Sequence, residues 1–193
     1  EYIVVMLESK PIEVSDGIGT AIGATEPPTL ENSGHNNNLS FIITKAGVVV
    51  VNAGGSYLLA QALHAEIKQL TDLPVKFVTL ENGQGHAMLG SDYWQQQGAT
   101  VIAHDDTATE IEDHGYEVLA RMQGIQRDKA MGTVLSQPNI TFTDKYTIEL
   151  GGEKIEILNL GPSHSHGDVV VWLPQRKLMI AGDIAFHQRL LPV

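Results

Sequence analysis

The 193-residue sequence contains no cysteine, only 12 lysines and arginines against 23 aspartates and glutamates, and no long apolar run. Each shortage excludes something. Without cysteine there is no disulfide framework, no thiolate metal site and no cysteine nucleophile, so any metal must rest on histidine and carboxylate ligands. A formal charge of -11, with no Lys/Arg cluster to interrupt it, repels a phosphate backbone, which argues against nucleic acid as a partner. Apolar runs such as Val48 to Val51 fall far short of the roughly 20 residues a membrane-spanning helix needs. Glu1 is not an initiator methionine, and nothing here separates a periplasmic or secreted chain from a cytoplasmic one.

What is present suffices for a globular core: 42% of residues are hydrophobic, and the length suits one domain, residues 1–193. Patterning predicts short strands at residues 2–6 and 18–22, then a hairpin of residues 39–44 and 48–51 turned at Lys45-Ala46-Gly47. Leu58, Leu59, Ala62, Leu63, Ile67 and Leu70 recur at spacings of three and four, predicting a helix that ends near Thr71-Asp72. Strands follow at residues 75–80 and 99–103, with a short helix over residues 88–97 between them. A longer helix starts at Asp105-Asp106-Thr107, with Gly115 as its weak point. Beyond Gly124 the pattern is purely β, with turns at Gly151-Gly152 and Pro174-Gln175. The late strands have no helices between them to build parallel crossovers, so a layered α/β sandwich fits better than a doubly wound sheet.

Of eight histidines, His35, His64, His104, His114 and His187 stand alone and are set aside. The segment Gly161-Pro162-Ser163-His164-Ser165-His166-Gly167-Asp168 instead packs two histidines and an aspartate into a loop between strands, where sites accumulate. The competing reading is a polar turn that hydrogen-bonds its own backbone. Asp183 follows an apolar strand and a glycine, and His86 follows the loop Glu81-Asn82-Gly83-Gln84-Gly85. Three strand ends thus offer His86, His164 and Asp183, a ligand mixture that zinc, iron or manganese accepts.

The order and spacing of these segments resemble the metallo-β-lactamase superfamily of metal-dependent hydrolases. Residues 38–51 look like its opening hairpin, and residues 75–80 like the strand feeding its HxHxDH metal motif. Residues 161–174 and 178–183 are similar to its third-histidine loop, the following hairpin and its bridging aspartate. The resemblance implies an αββα four-layer sandwich with metal held at one edge. His86 then matches the last histidine of HxHxDH, His164 the later histidine and Asp183 the bridging carboxylate. Where the motif has its first two histidines and its aspartate, this chain has Glu81, Gly83 and Gly85, and Asn52 stands where an aspartate supports the motif from behind.

Glycine offers no side-chain ligand, so a normal two-metal site cannot be assembled from His86, His164, Asp183 and Glu81. The expectation is one weakly held ion, zinc or another divalent metal such as iron or manganese, or none. Two functions follow. One is a hydrolase of small molecules in which the metal activates water against an ester, thioester, lactam or similar bond. The other is a scaffold that has lost metal and catalysis and serves binding or structure. The strands after Ile140 form only the start of such a sandwich's second half, which predicts either further chain beyond Val193 or cover from another copy, a homo-oligomer.

Overall fold

A computed structural model describes residues 3–187. Seven strands form one sheet in sequence order: β1 (Ile12–Ser15), β2 (Ile18–Ala21), β3 (Leu39–Ile43), β4 (Val48–Val51), β5 (Val75–Thr79), β6 (Thr100–His104) and β7 (Ile140–Phe142). The first four pair antiparallel and β4 to β7 pair parallel. Each parallel step needs a crossover. These are supplied by α1 (Tyr57–Leu70), by the short α2 (Gly85–Met88) with α3 (Ser91–Gln96), and by α4 (Asp105–Gln126). The second sheet is an antiparallel meander of β8 (Lys145–Leu150), β9 (Glu153–Leu158), β10 (Val170–Leu173) and β11 (Leu178–Ile180).

Alternation along the strands builds two cores from one sheet. Phe41, Val48, Val50, Val101 and Ala103 face Leu59, Leu63, Trp94, Ile111 and Met122 of the helices. Ile42, Val49, Val51 and Ile102 face the other way, onto Ile155, Ile157, Val171 and Leu173 of the meander. Because both faces of β4 are covered, its four consecutive valines are all buried. The described residues thus build a helical layer and two facing sheets of the expected sandwich. Among them, no helix is long and apolar enough to cross a membrane.

Four local expectations change. Ile3 to Met6 is not a strand: Val5 and Leu7 pack on the core while Val4 and Met6 are exposed, so the segment alternates like a strand but has no pairing partner among the described residues. Tyr2 lies outside the described residues. The strand at β1 carries Ile12, Glu13 and Val14 outward, and that mixture hides it from a search for buried runs. The single short helix is two, because the Gly90 N–H bonds the Gly54 carbonyl (2.8 Å) and the backbone passes too close to Ala53 for any side chain there. At α4 the cap is His104, whose Nδ1 accepts the Asp106 N–H at 3.0 Å, and Gly115 is a close packing point against Leu135.

Candidate metal centre

Glu81 follows β5, His86 lies in the first turn of α2, and Asp183 sits in a 3-10 turn (Gly182–Ile184) directly after β11. The packing of the sheets brings the ends of β5 and β11 together. His86 Nε2 lies 3.1 Å from Glu81 Oε1 and 3.1 Å from Asp183 Oδ2, and one ligand atom from each of the three lies within 4.8 Å of the others.

The surrounding chain holds this trio. Asn52, with φ of 72°, accepts the Glu81 N–H on its Oδ1 at 3.0 Å, and the Glu81 carbonyl accepts the Val169 N–H at 3.0 Å. Asparagine tolerates that left-handed backbone better than most residues. Glu81 Oε2 accepts the Asp183 N–H at 3.2 Å, and Asn82 Nδ2 donates to Asp183 Oδ2 at 3.0 Å. Gly182 has φ of 57°, and a Cβ there would overlap Glu81 Oε2. The carboxylate of Glu81 can therefore sit where it does only because residue 182 has no side chain.

The electrostatics follow from two carboxylates sharing one imidazole. Burial alone would lower the His86 pKa, but hydrogen bonds to Asp183 and Glu81 outweigh it and raise the value to about 9. Burial likewise opposes ionisation of Asp183, and the His86 and Asn82 hydrogen bonds reverse that, holding its pKa below the ordinary carboxylate value. Without a metal the centre is thus an imidazolium between two carboxylates.

Donors bound to one ion at about 2.1 Å in tetrahedral geometry lie about 3.4 Å apart. The 3.1 Å separations fit a single ion with little movement. The places of the side chains that the motif has at 83 and 85 are taken by neighbours. A Cβ at Gly83 would lie 2.8 Å from Glu110 Oε2, so the Glu110 side chain, reaching from α4, takes the volume of a side chain at 83. A Cβ at Gly85 would lie 3.1 Å from both Val118 and Met122.

His164, the fourth residue named from sequence, lies outside the trio: its Nε2 is 2.5 Å from Gln84 Nε2. Its loop is tied internally, with Asp168 accepting the Ser165 N–H (2.6 Å) and hydroxyl (2.7 Å). Sequence reasoning missed Asn82, Gln84, Glu110 and Gly182. Asn82 and Gln84 occupy the wild-card positions of the HxHxDH register and were readable as candidates once its histidines were gone. Glu110 carries no local signal, since only the packing of α4 brings it to Gly83.

Beside the trio a cavity of about 580 Å³ opens at the edge between the two sheets, reached by Glu81, Gly182 and Asp183.

Several solved structures share this architecture. A metallo-beta-lactamase from Pontibacter korlensis superimposes with a TM-score of 0.68 at 21% identity, covering 89% of this chain and 69% of that one. The FEZ-1 metallo-beta-lactamase of Legionella gormanii gives 0.63 at 18% identity, covering 89% and 60%. A sec-alkyl sulfatase, PisA1, gives 0.68 at 17% identity, covering 91% of this chain and 31% of that one. At such identities the likeness shows the fold alone. Residues 86–192, more than half of the sequence, also match the family model described as the metallo-beta-lactamase superfamily, and to that superfamily this chain belongs.

Proposed function

We propose that the protein is a metal-dependent hydrolase working with one divalent ion, held by Glu81, His86 and Asp183. The observation that carries this reading is the convergence of those three donors at separations one ion can span, on a loop braced by Asn52 and Asn82. When bound, a divalent ion there supplies Lewis acidity to water and to a polarised carbonyl. The chain's own part is to fix the donors. Asn82 holds Asp183, Asn52 fixes the start of the Glu81 loop, and the absent side chain at 182 admits the Glu81 carboxylate. Zinc, iron and manganese all accept one imidazole with two carboxylates, and the second carboxylate shifts preference toward the harder ions. His164 lies against Gln84, outside the three donors, and is not counted among the ligands in this reading.

Calorimetric titration of EDTA-treated protein with Mn²⁺ and Zn²⁺ tests this. One ion per chain is expected, lost in His86→Ala and in Glu81→Gln. Two tightly bound ions per chain refute the single-ion centre, and no uptake at all refutes the hydrolase reading in favour of a metal-free scaffold.

A further inference from the structure

Residues 3–11 run over the rest of the chain as a strap. They form no helix or strand, and among the described residues no backbone-to-backbone hydrogen bond ties them down. Side chains hold them instead. The Ser9 hydroxyl donates to the Ile22 carbonyl and accepts the Ile22 N–H, both at 2.8 Å, just past the end of β2. The Glu8 N–H donates to His35 Nδ1 at 2.9 Å, and Val5 and Leu7 rest on the core beneath the helices.

His35 is an anchor that a proton can remove. Its side chain is fully buried. Accepting at Nδ1 requires the ring hydrogen to sit on Nε2, so the contact with Glu8 exists only in the neutral form. A proton added at Nδ1 would set two donors against each other and break it. Burial keeps the ring neutral, lowering its pKa to about 4, and the nearby carbonyls of Ala21 and Asn37 favour the proton without outweighing burial. Charged side chains on the surrounding elements are Glu8 and Lys10 on the strap, Glu26 and Glu31 on the loop between β2 and β3, and Lys129 beyond α4. The first four are exposed, and Lys129 donates to the Leu30 carbonyl at 2.7 Å and to the Ser33 hydroxyl at 3.1 Å. Burial and the two carbonyls account for the shift of His35 without any of them.

The loop that carries His35 is also a wall of the cavity beside the metal centre. The Ala24 N–H donates to the His35 carbonyl at 2.8 Å, and Ala24, Asn36 and Asn37 line that cavity together with Glu81 and Asp183. The strap is therefore fastened to this wall.

We propose that residues 3–11 are an acid-released strap: protonation of His35 expels the Glu8 N–H and frees the strap from the cavity wall while both sheets stay folded. Once the strap lifts, the ring meets water and recovers its ordinary proton affinity. The closed value lies below the open one, so closure weakens as pH falls through 6.5. With 6.5 open and about 4 closed, opening is about thirtyfold more favourable at pH 5 than at pH 8.

The Glu8 amide is the probe. Its exchange with solvent, followed by NMR on EDTA-treated protein and corrected for the intrinsic pH dependence, reports opening of the strap, while the amides of Val49 to Val51 in β4 report unfolding of the body. Glu8 is expected to be protected at pH 8, less so than β4, and to lose about thirtyfold of that protection by pH 5 with the β4 signals still in place. Ser9→Ala removes the other polar anchor and should raise opening at both pH values. His35→Phe keeps a buried ring without an acceptor, so its Glu8 amide should exchange readily and equally at pH 8 and pH 5. Circular dichroism checks that both variants fold, and if His35→Phe does not, the pH profile of the parent protein decides alone. Equal protection of Glu8 at the two pH values overturns the proposal. So does a Glu8 amide unprotected at pH 8, one that exchanges only together with β4, or a pH dependence retained in His35→Phe.

Discussion

Replacing Gly182 with alanine tests whether the Glu81 carboxylate is held as described. Two costs arise, and they can be separated. The backbone at 182 has φ of 57°, which costs alanine about 1 kcal/mol relative to glycine. The new Cβ would also displace Glu81 Oε2, breaking its hydrogen bond from the Asp183 N–H and pulling Oε1 away from His86. Glu81 is only 4% exposed, so water cannot replace those partners freely, and losing one hydrogen bond to a buried charge costs about 2 kcal/mol. The expected total is about 3 kcal/mol.

Gly152 supplies the control. It too has positive φ, 86°, but an added Cβ there meets nothing within 4 Å, so Gly152→Ala incurs only the backbone cost of about 1 kcal/mol. By thermal unfolding, the melting temperature should fall by about 2–4 °C in Gly152→Ala and about 6–12 °C in Gly182→Ala. Affinity for Mn²⁺ should drop at least tenfold in the second variant and stay unchanged in the first. If the two variants are equally stable and bind metal equally, Glu81 is not pinned against residue 182, and the assignment of its carboxylate to the centre is wrong.

Gly83→His should destabilise the protein by about 1–3 kcal/mol, because the Glu110 side chain already fills that space. Pairing it with Glu110→Ala should recover most of the loss, so a double-mutant cycle by urea unfolding giving less than about 0.5 kcal/mol of coupling would show that the two positions do not compete. Two histidines set opposite pH limits. His86, raised to about 9 when folded, stabilises the metal-free protein fully below pH 6.5, and that contribution of about 3 kcal/mol is lost as pH rises through 9. His35 is lowered to about 4 by burial, so stability should fall between pH 6.5 and 4 as the unfolded chain takes up the proton first. Urea unfolding across pH 4–10 with EDTA present checks both, and a His86→Gln protein that still loses stability above pH 8 as the parent does would contradict the first.

The elements were legible where one physical signal dominated. Spacings of three and four gave α1 to within a residue of its cap at Thr71, and the four valines of β4 read as a doubly covered strand. Boundaries failed where the deciding partner was distant in sequence. Ile3 to Met6 lacks a pairing strand, β1 gains one, and the break before α3 depends on Ala53 and Gly54. Of the four site residues named from sequence, Glu81, His86 and Asp183 lie together and His164 lies against Gln84. Local pattern carries a residue's position on a strand end but not its side-chain direction, and at residue 164 the direction is set by Gln84.

The altered positions around HxHxDH, residues 81, 83, 85 and 52, make sense as one change rather than four. A glutamate at 81 brings a negative charge where the motif has a neutral imidazole, and a buried carboxylate is stable only with donors around it. The chain supplies them: the N–H of Asp183 and the Nε2–H of His86, with residue 182 free of a side chain so that the approach is possible. An unpaired aspartate or histidine buried at 83 or 85 would be a cost. Glycine at both places lets Glu110, Val118 and Met122 close the space from α4. Asn52 completes the set. An aspartate in its place would add a third carboxylate beside Glu81 and Asp183, whereas the amide accepts the Glu81 N–H without bringing a charge. The centre is thus consistent with one ion, or with one proton on His86 in the ion's absence.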